Sequence, residues 1–351
     1  MSNKAKVPAP IGLIVNPRSG NDVRRVVASA GSSTLDDKTS IVRRIVRGAV
    51  SSGATHFVTN REPHQIVRRA TETMPGITVD YAVATIDNSE GDSVEAARAM
   101  RALGCAVVIV LGGDGTNRAV VKGWPDVPLI PLSTGTNNAF PIWCEPTVAG
   151  LAAALVARGV VAIGDVTVPA KLVHIDVTIA PHNRTNDRWD HRSGVSGEPD
   201  IALIDAAAVA DPFVGSLELF DPGTMRVLLL TRADPAAIGF CAVGGLLHPV
   251  SAADDHGLCV WLCPPDAAPS RLRAPTAPGH VATVGIERHR VIGLGESVSV
   301  SGPMILAFDG ERKRRLLEGD RATFTLRRDG PRVLDVGKAM HMAAAAGSFA
   351  H

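Results

Sequence analysis

The stretch "VVIVLGGDGTNRAVVKG", residues 107–123, decides how the chain is read. An unbroken apolar run stops at Gly112-Gly113-Asp114-Gly115-Thr116, and residues of helical character resume at once. An apolar run with no polar alternation fits a strand buried on both faces, as in a parallel sheet. Glycines at the junction admit positive φ and let a ligand approach the backbone. A helix that starts there exposes N–H groups, which favours an anion. The same residues also make a plain tight turn, so the rest of the chain has to choose between the two.

Working outward, residues 11 to about 160 alternate between extended and helical patterns. "IGLIVN", "THFVTN", "GITVDYAVAT", "CAVVIVL" and "VPLIPLS" read as strands. Between and after them, "NDVRRVVASA", "SIVRRIVRGAVSSG", "HQIVRRATETM", "DSVEAARAMRALG" and "PTVAGLAAALVARG" read as helices. The last has Pro near its start and Gly after its end. This alternation predicts a parallel sheet covered on both faces. Arg43, Arg44, Arg47, Arg68 and Arg69 read as solvated helix faces.

After about residue 164 the texture changes. "KLVHIDVTIA", "DIALIDAAAV", "MRVLLLTR", "GLCVWLCP" and "ATFTLRRD" are extended runs separated by turns, which predicts an all-β second domain. "PHNRTNDRWDHRSGVSGEPD" reads as a long polar loop, "PPDAAPSRLRAPTAPG" as a Pro-rich connection, and "AAAAGSFAH" as a frayed tail.

Composition narrows the class. The chain has 351 residues, enough for two domains, and a formal charge of +1 gives no electrostatic reason to expect nucleic acid or an anionic membrane. No run reaches the length of a membrane span or a signal segment, so the expected location is the cytoplasm. Five cysteines lack the spacing of a disulfide framework, and His256, Cys259 and Cys263 read better as a buried strand than as a metal site.

Two familiar phosphate loops are excluded. No Gly precedes Lys-Ser/Thr, so there is no Walker A loop, and "GGDGTNR" lacks the third glycine of the dinucleotide fingerprint. Three further turns are of the same kind as the first. "NPRSG" offers Asn16, Ser19 and Gly20 after the first strand; "STGTNNAF" offers Ser133, Gly135, Thr136, Asn137 and Asn138 after the strand "PLIPL". "AFDGERKRRLLEGD" places Asp309 and Glu311 around a turn glycine. Polar turns at several strand C-ends of one parallel sheet predict a crevice for a phosphorylated ligand.

Together "NPRSG", "GGDGT", "GTNNAF" and "DGE", in that order along the chain, resemble the superfamily of NAD kinases and diacylglycerol-type lipid kinases. The resemblance implies a parallel-sheet α/β N-terminal domain and a β-sandwich-like C-terminal domain. It also implies ATP-dependent phosphorylation of a hydroxyl in the cleft between them. The boundaries read as 1–163 for the nucleotide domain, 164–308 for the acceptor domain and 309–351 for a segment returning to the first domain.

The departures are specific. Lipid kinases of this group carry Glu where Ala119 stands and Asp where Ala139 stands. "AVGGLLHPV" resembles the "GG…HP" segment of NAD kinases, offering Gly244, Gly245 and His248, while "ALID" puts Asp205 and Ile204 where that family has an Asn-Glu pair. A lipid-kinase front with an altered NAD-kinase back is similar to the acetoin catabolism protein X group, placed among ATP–NAD kinase-like proteins.

The expected site follows. Gly112, Gly113, Gly115, Thr116, Ser133, Gly135, Thr136 and Asn137, with Asn16, Ser19 and Gly20, cradle the nucleotide phosphates. Mg²⁺ rides on those phosphates with few protein ligands. Asp114 is the candidate general base or acceptor-positioning carboxylate, with Asp309 and Glu311 as second candidates. Asn138, Asp205, Gly244, Gly245 and His248 are the acceptor set, and NAD is the first acceptor to test. A lipid or polyol kinase, and a nucleotide-binding accessory protein without turnover, are the alternatives; homo-oligomerisation is left open.

Overall fold

The computed structural model describes residues 8–19, 34–83, 86–133, 138–183, 198–210 and 222–350. The helix expected at "NDVRRVVASA" and most of the polar loop 181–200 lie outside these residues. In chain order the first elements are β1 (Ile11–Val15), α1 (Leu35–Ser51), β2 (His56–Thr59), α2 (Ile66–Thr71), β3 (Thr78–Tyr81) and α3 (Glu90–Ala102). There follow β4 (Val107–Leu111), α4 (Asp114–Gly123), β5 (Pro128–Leu132), α5 (Pro146–Ala157), α6 (Ile163–Val166) and β6 (Thr167–Pro169). Then come β7 (Leu172–Thr178), β8 (Asp200–Ala202), β9 (Asp205–Val209), β10 (Met225–Leu230), α7 (Phe240–Leu247), β11 (His256–Cys263) and β12 (Ser270–Ala277). The chain ends with β13 (His280–Gly293), β14 (Ser297–Ser301), β15 (Met304–Phe308), β16 (Glu311–Leu316), β17 (Arg321–Arg327), β18 (Arg332–Leu334) and α8 (Val336–Ala345).

The chain forms two compact units. One takes the described residues up to Ala170 and from Gly330 onward; the other runs from Lys171 to Asp329. These exchange points differ from the 163/164 and 308/309 read in the sequence, because β6 pairs with β18 while β16 and β17 belong to sheets of the second unit.

In the first unit the strand order is β3-β2-β1-β4-β5-β18-β6, with β3 through β18 parallel and β6 antiparallel at the edge. β1 and β4 are buried at every position, which is why their sequences show no alternation. On one face Ile11, Leu13, Val107 and Ile109 pack with Val42, Ile45 and Val46 of α1, Ala149 and Ala153 of α5, and Ala339 and Ala343 of α8. Of the tail expected to fray, Ala343 is buried in this helix, which ends at Ala345, and the described residues after Ala343 are exposed. α1 starts at a capping box: the Thr34 hydroxyl accepts from Asp37 N–H while the Asp37 carboxylate accepts from Thr34 N–H. Strand order runs leftward from β1 to β3 and rightward from β4 to β5, so β1 and β4 flank the point where the order reverses. In open parallel sheets ligands bind at that switch point, beyond the strand C-ends.

The second unit is all-β apart from short helices. A seven-stranded sheet, β12-β13-β11-β10-β9-β15-β16, and a four-stranded sheet, β14-β17-β7-β8, share one core. Successive side chains of a strand face opposite ways. Ala206 and Ala208 of β9 accordingly join Val173, Phe324 and Leu326 in the core between the sheets. Ala207 and Val209 join Leu228, Leu258 and Val243 of α7 on the opposite face. "AVGGLLHPV" is thus mostly helix, and His248 caps its end. The Pro-rich connection becomes β12. Among the described residues no helix is long and apolar enough to cross a membrane.

Candidate active site

At the switch point the ends of β1 and β4 are tied together. Asn16 N–H donates to Leu111 O at 2.9 Å, and Asn16 Nδ2 donates to Thr116 Oγ1 at 2.8 Å. The Asn16 side chain is itself held, because its Oδ1 accepts from Arg18 N–H at 2.9 Å, and Ser19 Oγ donates to Asn16 O at 2.8 Å. α4 begins at Gly113, which offers no side-chain cap, so the first-turn N–H groups around Gly115 and Thr116 keep their positive end for a ligand.

Asp114 has a second task. Its two carboxylate oxygens accept from Ala139 N–H at 3.0 Å and Phe140 N–H at 2.9 Å, clipping the turn after β4 to the turn after β5. The glycines serve the same closure. A Cβ on Gly113 would lie 2.9 Å from Asn138 Oδ1, and one on Gly112 would lie 2.6 Å from Thr116 Cβ. Ser133 N–H donates to Ile142 O, which holds the far side of the second turn. The structure therefore brings Asn16, Ser19, Gly112, Gly113, Thr116, Ser133 and Asn138 onto one edge of one sheet. Gly20, Gly135, Thr136 and Asn137 lie outside the described residues. Asp114, read from the sequence as general base or acceptor-positioning carboxylate, is engaged here in positioning the loop.

Sequence reasoning missed three features of this edge. Asn60, buried at the end of β2, exchanges hydrogen bonds with the Val15 backbone and so fixes the strand end that carries Asn16. Lys38, fully buried, donates to carbonyls of the 16–19 turn. A cavity of about 440 Å³ opens beyond the ends of β2 and β3, lined among others by Asn60, Arg61, Gln65, Arg68, Tyr81 and Ile86. The Arg61 guanidinium lies 4.4 Å from the centre of the Tyr81 ring. A strand-end Asn before "REPHQ" is the one signal that pointed there; a lysine in a helix reads as a solvated face. Beside Ala119, the fully buried Arg118 meets Glu90 at 3.0 Å, so this chain places an ion pair next to the position where lipid kinases carry a glutamate.

In the second unit the Asp309 carboxylate is engaged with backbone N–H groups. Asp309 and Gly310, with φ of 50° and 77°, form the two-residue turn between β15 and β16. The buried Asp309 carboxylate accepts from the N–H groups of Leu203 (3.0 Å), Ile204 (2.8 Å) and Asp205 (3.3 Å), while Asp309 N–H donates to Asp205 O. This clasp breaks the extended run "DIALIDAAAV" into β8 and β9 and sets the buried Asp205 at the start of β9. Thr231 reinforces it by donating its hydroxyl to Leu203 O at 2.7 Å. Glu311 is exposed at the start of β16. In the basic run after it, Arg314 is buried against Asp200 and the Glu198 carbonyl.

The remaining acceptor candidates separate. A Cβ on Gly244 would lie 2.2 Å from Leu230 Cδ1, and one on Gly245 would lie 2.2 Å from Asp234 C, so this pair lets α7 pack on the 230–235 segment. The His248 ring faces His256 at 6.1 Å. The following turn is held by Lys171, whose Nζ donates to Ser251 O (2.9 Å) and His256 O (2.6 Å). Burial, with Arg328 close by, lowers the Lys171 pKa to about 8. Cys259 faces the core between the sheets, and burial pushes its thiol up to about 12.

Residues 11–160 match the family described as ATP-NAD kinase N-terminal domain, and residues 191–329 match the acetoin catabolism protein X C-terminal domain. A solved structure of yeast NADH kinase complexed with NADH has a TM-score of 0.53 and 14% identity, covering 98% of this chain and 89% of that chain. The fold is thus of the NAD kinase type, with a NAD kinase-like domain at the N-terminal end. Acetoin catabolism protein X of Cupriavidus necator is 35% identical, covering 97% of this chain and 93% of its own length. The chain belongs to the acetoin catabolism protein X family, as its ordered motifs implied.

Proposed function

We propose that the chain is an ATP-dependent phosphotransferase acting on a hydroxyl of a small molecule, with NAD as the first candidate acceptor. The observation that supports it best is the clip between the two turns. Asp114 draws the ends of β4 and β5 together beside Asn16 and the uncapped start of α4, at the switch point of the sheet. Such an edge suits a polyphosphate, and the cavity beyond β2 and β3, with Arg61, Arg68 and Tyr81, suits the nucleoside. The oxygen-rich donors of the turns are compatible in kind with Mg²⁺, which enters on the phosphates and neutralises their charge. Among the described residues no three His, Cys, Asp or Glu side chains cluster to hold a metal by themselves. The NADH bound in the yeast structure supports a dinucleotide ahead of a lipid.

A second reading, a nucleotide-binding accessory protein without turnover, is favoured by one observation: Asp114 and Asp309 both hold backbone N–H groups. An ATP-consumption screen over NAD, NADH, diacylglycerols, acetoin and related polyols separates the two. Turnover with NAD supports the first reading. Turnover with diacylglycerol alone replaces it with a lipid kinase, and nucleotide binding without turnover on any acceptor replaces it with the accessory role.

A further inference from the structure

We propose that the outer edge of β14 joins two copies of this chain, strand to antiparallel strand, across a twofold axis at Ser299. β14 lies at the end of its sheet and pairs with β17 on one side. At the two ends of that ladder Leu326 N–H donates to Glu296 O and Gly302 N–H donates to Asp320 O. Hydrogen-bonded and non-hydrogen-bonded pairs alternate along an antiparallel ladder. Val298 and Val300 therefore bond to β17, while Ser297, Ser299 and Ser301 turn their N–H and C=O groups outward. The 2.8 Å contact of Ser297 Oγ with Thr325 Oγ1 agrees, because side chains come closest in non-hydrogen-bonded pairs. The three serines are exposed, and among the described residues no backbone hydrogen bond reaches their outward groups.

An open edge is a template for another strand, and proteins blunt it with charge, proline, a bulge or brevity. The other edges of these sheets each carry such a device. β3 has Asp80, β6 has Pro169, β8 has Asp200, β12 has Pro275, and β16 has a basic run and a register shift. β14 carries none of them: its sequence is SVSVS, in unbroken register with β17.

That sequence also selects the occupant. It reads the same in both directions, so pairing with its own copy sets Ser299 opposite Ser299, Ser297 opposite Ser301 and Val298 opposite Val300. The outward groups of the serines then exchange about six hydrogen bonds. The valines, already part of the core between the sheets, meet valines and continue that core across the axis. On the exposed face hydroxyl meets hydroxyl. Beyond the strand Glu296 comes opposite Gly302, so no like charges meet. The same patch on both copies makes a closed, isologous dimer. A pairing of 5 residues is a small interface, so the dimer is reversible, with a Kd in the micromolar range.

Sedimentation equilibrium of the full chain measures the dimer, and amide hydrogen exchange over residues 297–301 locates it. Ser299→Pro removes an outward N–H, a change an edge strand tolerates, and is expected to weaken the dimer about thirtyfold. Ser299→Lys sets like charges opposite each other and is expected to weaken it about tenfold, less at high salt. Ser299→Thr is expected to stay within about threefold of wild type. In wild type the Ser297, Ser299 and Ser301 amides exchange more slowly at high protein concentration than at low. If Ser299→Pro fails to fold, the Lys and Thr variants carry the comparison. A wild-type chain that is monomeric at about 100 μM overturns the inference, whether those amides exchange freely or are covered by another part of the chain. A dimer that Ser299→Pro and Ser299→Lys leave unchanged overturns it as well.

Discussion

Replacing Asp309 by Asn separates a structural carboxylate from a catalytic one. Asn tolerates the left-handed backbone that Asp309 adopts, so the two-residue turn survives the change. What changes is the acceptor. Asn Oδ1 can still receive the Leu203, Ile204 and Asp205 N–H groups, but its Nδ2 then faces the Leu203 N–H that Asp309 Oδ2 shares at 3.0 Å. Hydrogen bonds to a charged group contribute about 1.5–3 kcal/mol each against about 1 kcal/mol for neutral ones. Losing the charge from three bonds and setting Nδ2 against the Leu203 N–H costs about 3 kcal/mol, given that such terms are not additive. Urea unfolding reads this directly, followed by tryptophan fluorescence in a background where Trp261 of β11 is kept and the other three tryptophans are replaced by Phe. With a slope of about 3 kcal/mol/M the midpoint falls by about 1 M. A midpoint within about 0.2 M of wild type, with turnover abolished, refutes the clasp and returns Asp309 to the role of base.

Two further outcomes follow from named contacts. A double-mutant cycle on Asn16→Ala and Thr116→Val should give a coupling of about 1 kcal/mol, and each single variant should weaken binding of an ATP analogue; additive effects would show that the 2.8 Å bond carries nothing. Lys171 makes stability depend on pH. Its folded pKa, lowered from 10.5 to about 8, means that the unfolded chain binds more protons between those values. Its contribution therefore rises with pH from about 8 to 10.5 and is level below, with a slope of at most about 1.4 kcal/mol per pH unit. Urea midpoints across that range should show this component in wild type and lose it in Lys171→Met; identical profiles would contradict it.

The parallel sheet was legible because strands buried on both faces leave unbroken apolar runs, as in "VVIVL" and "IGLIV". The polar turns were legible because few other sequences put Asn, Gly, Asp and Thr directly behind such runs. Contacts between segments far apart in the chain were not. Nothing near "DIALIDAAAV" tells that Asp309, more than 100 positions on, interrupts it at Leu203 and Ile204. Gly244 and Gly245 looked like a ligand loop because glycine that admits a ligand and glycine that admits a neighbouring backbone are the same letter. Nothing near Lys38 or Arg314 tells that each is buried, since local pattern does not show which buried carbonyl or carboxylate a long cation will reach.

The central claim is that the edge joining Asn16, Thr116 and the Asp114 clip binds the phosphates of ATP. Titration calorimetry of the full chain with a Mg²⁺-bound, non-hydrolysable ATP analogue tests it most directly. The account predicts saturable one-site binding, weakened in Asn16→Ala. No heat and no thermal stabilisation at millimolar analogue would contradict it.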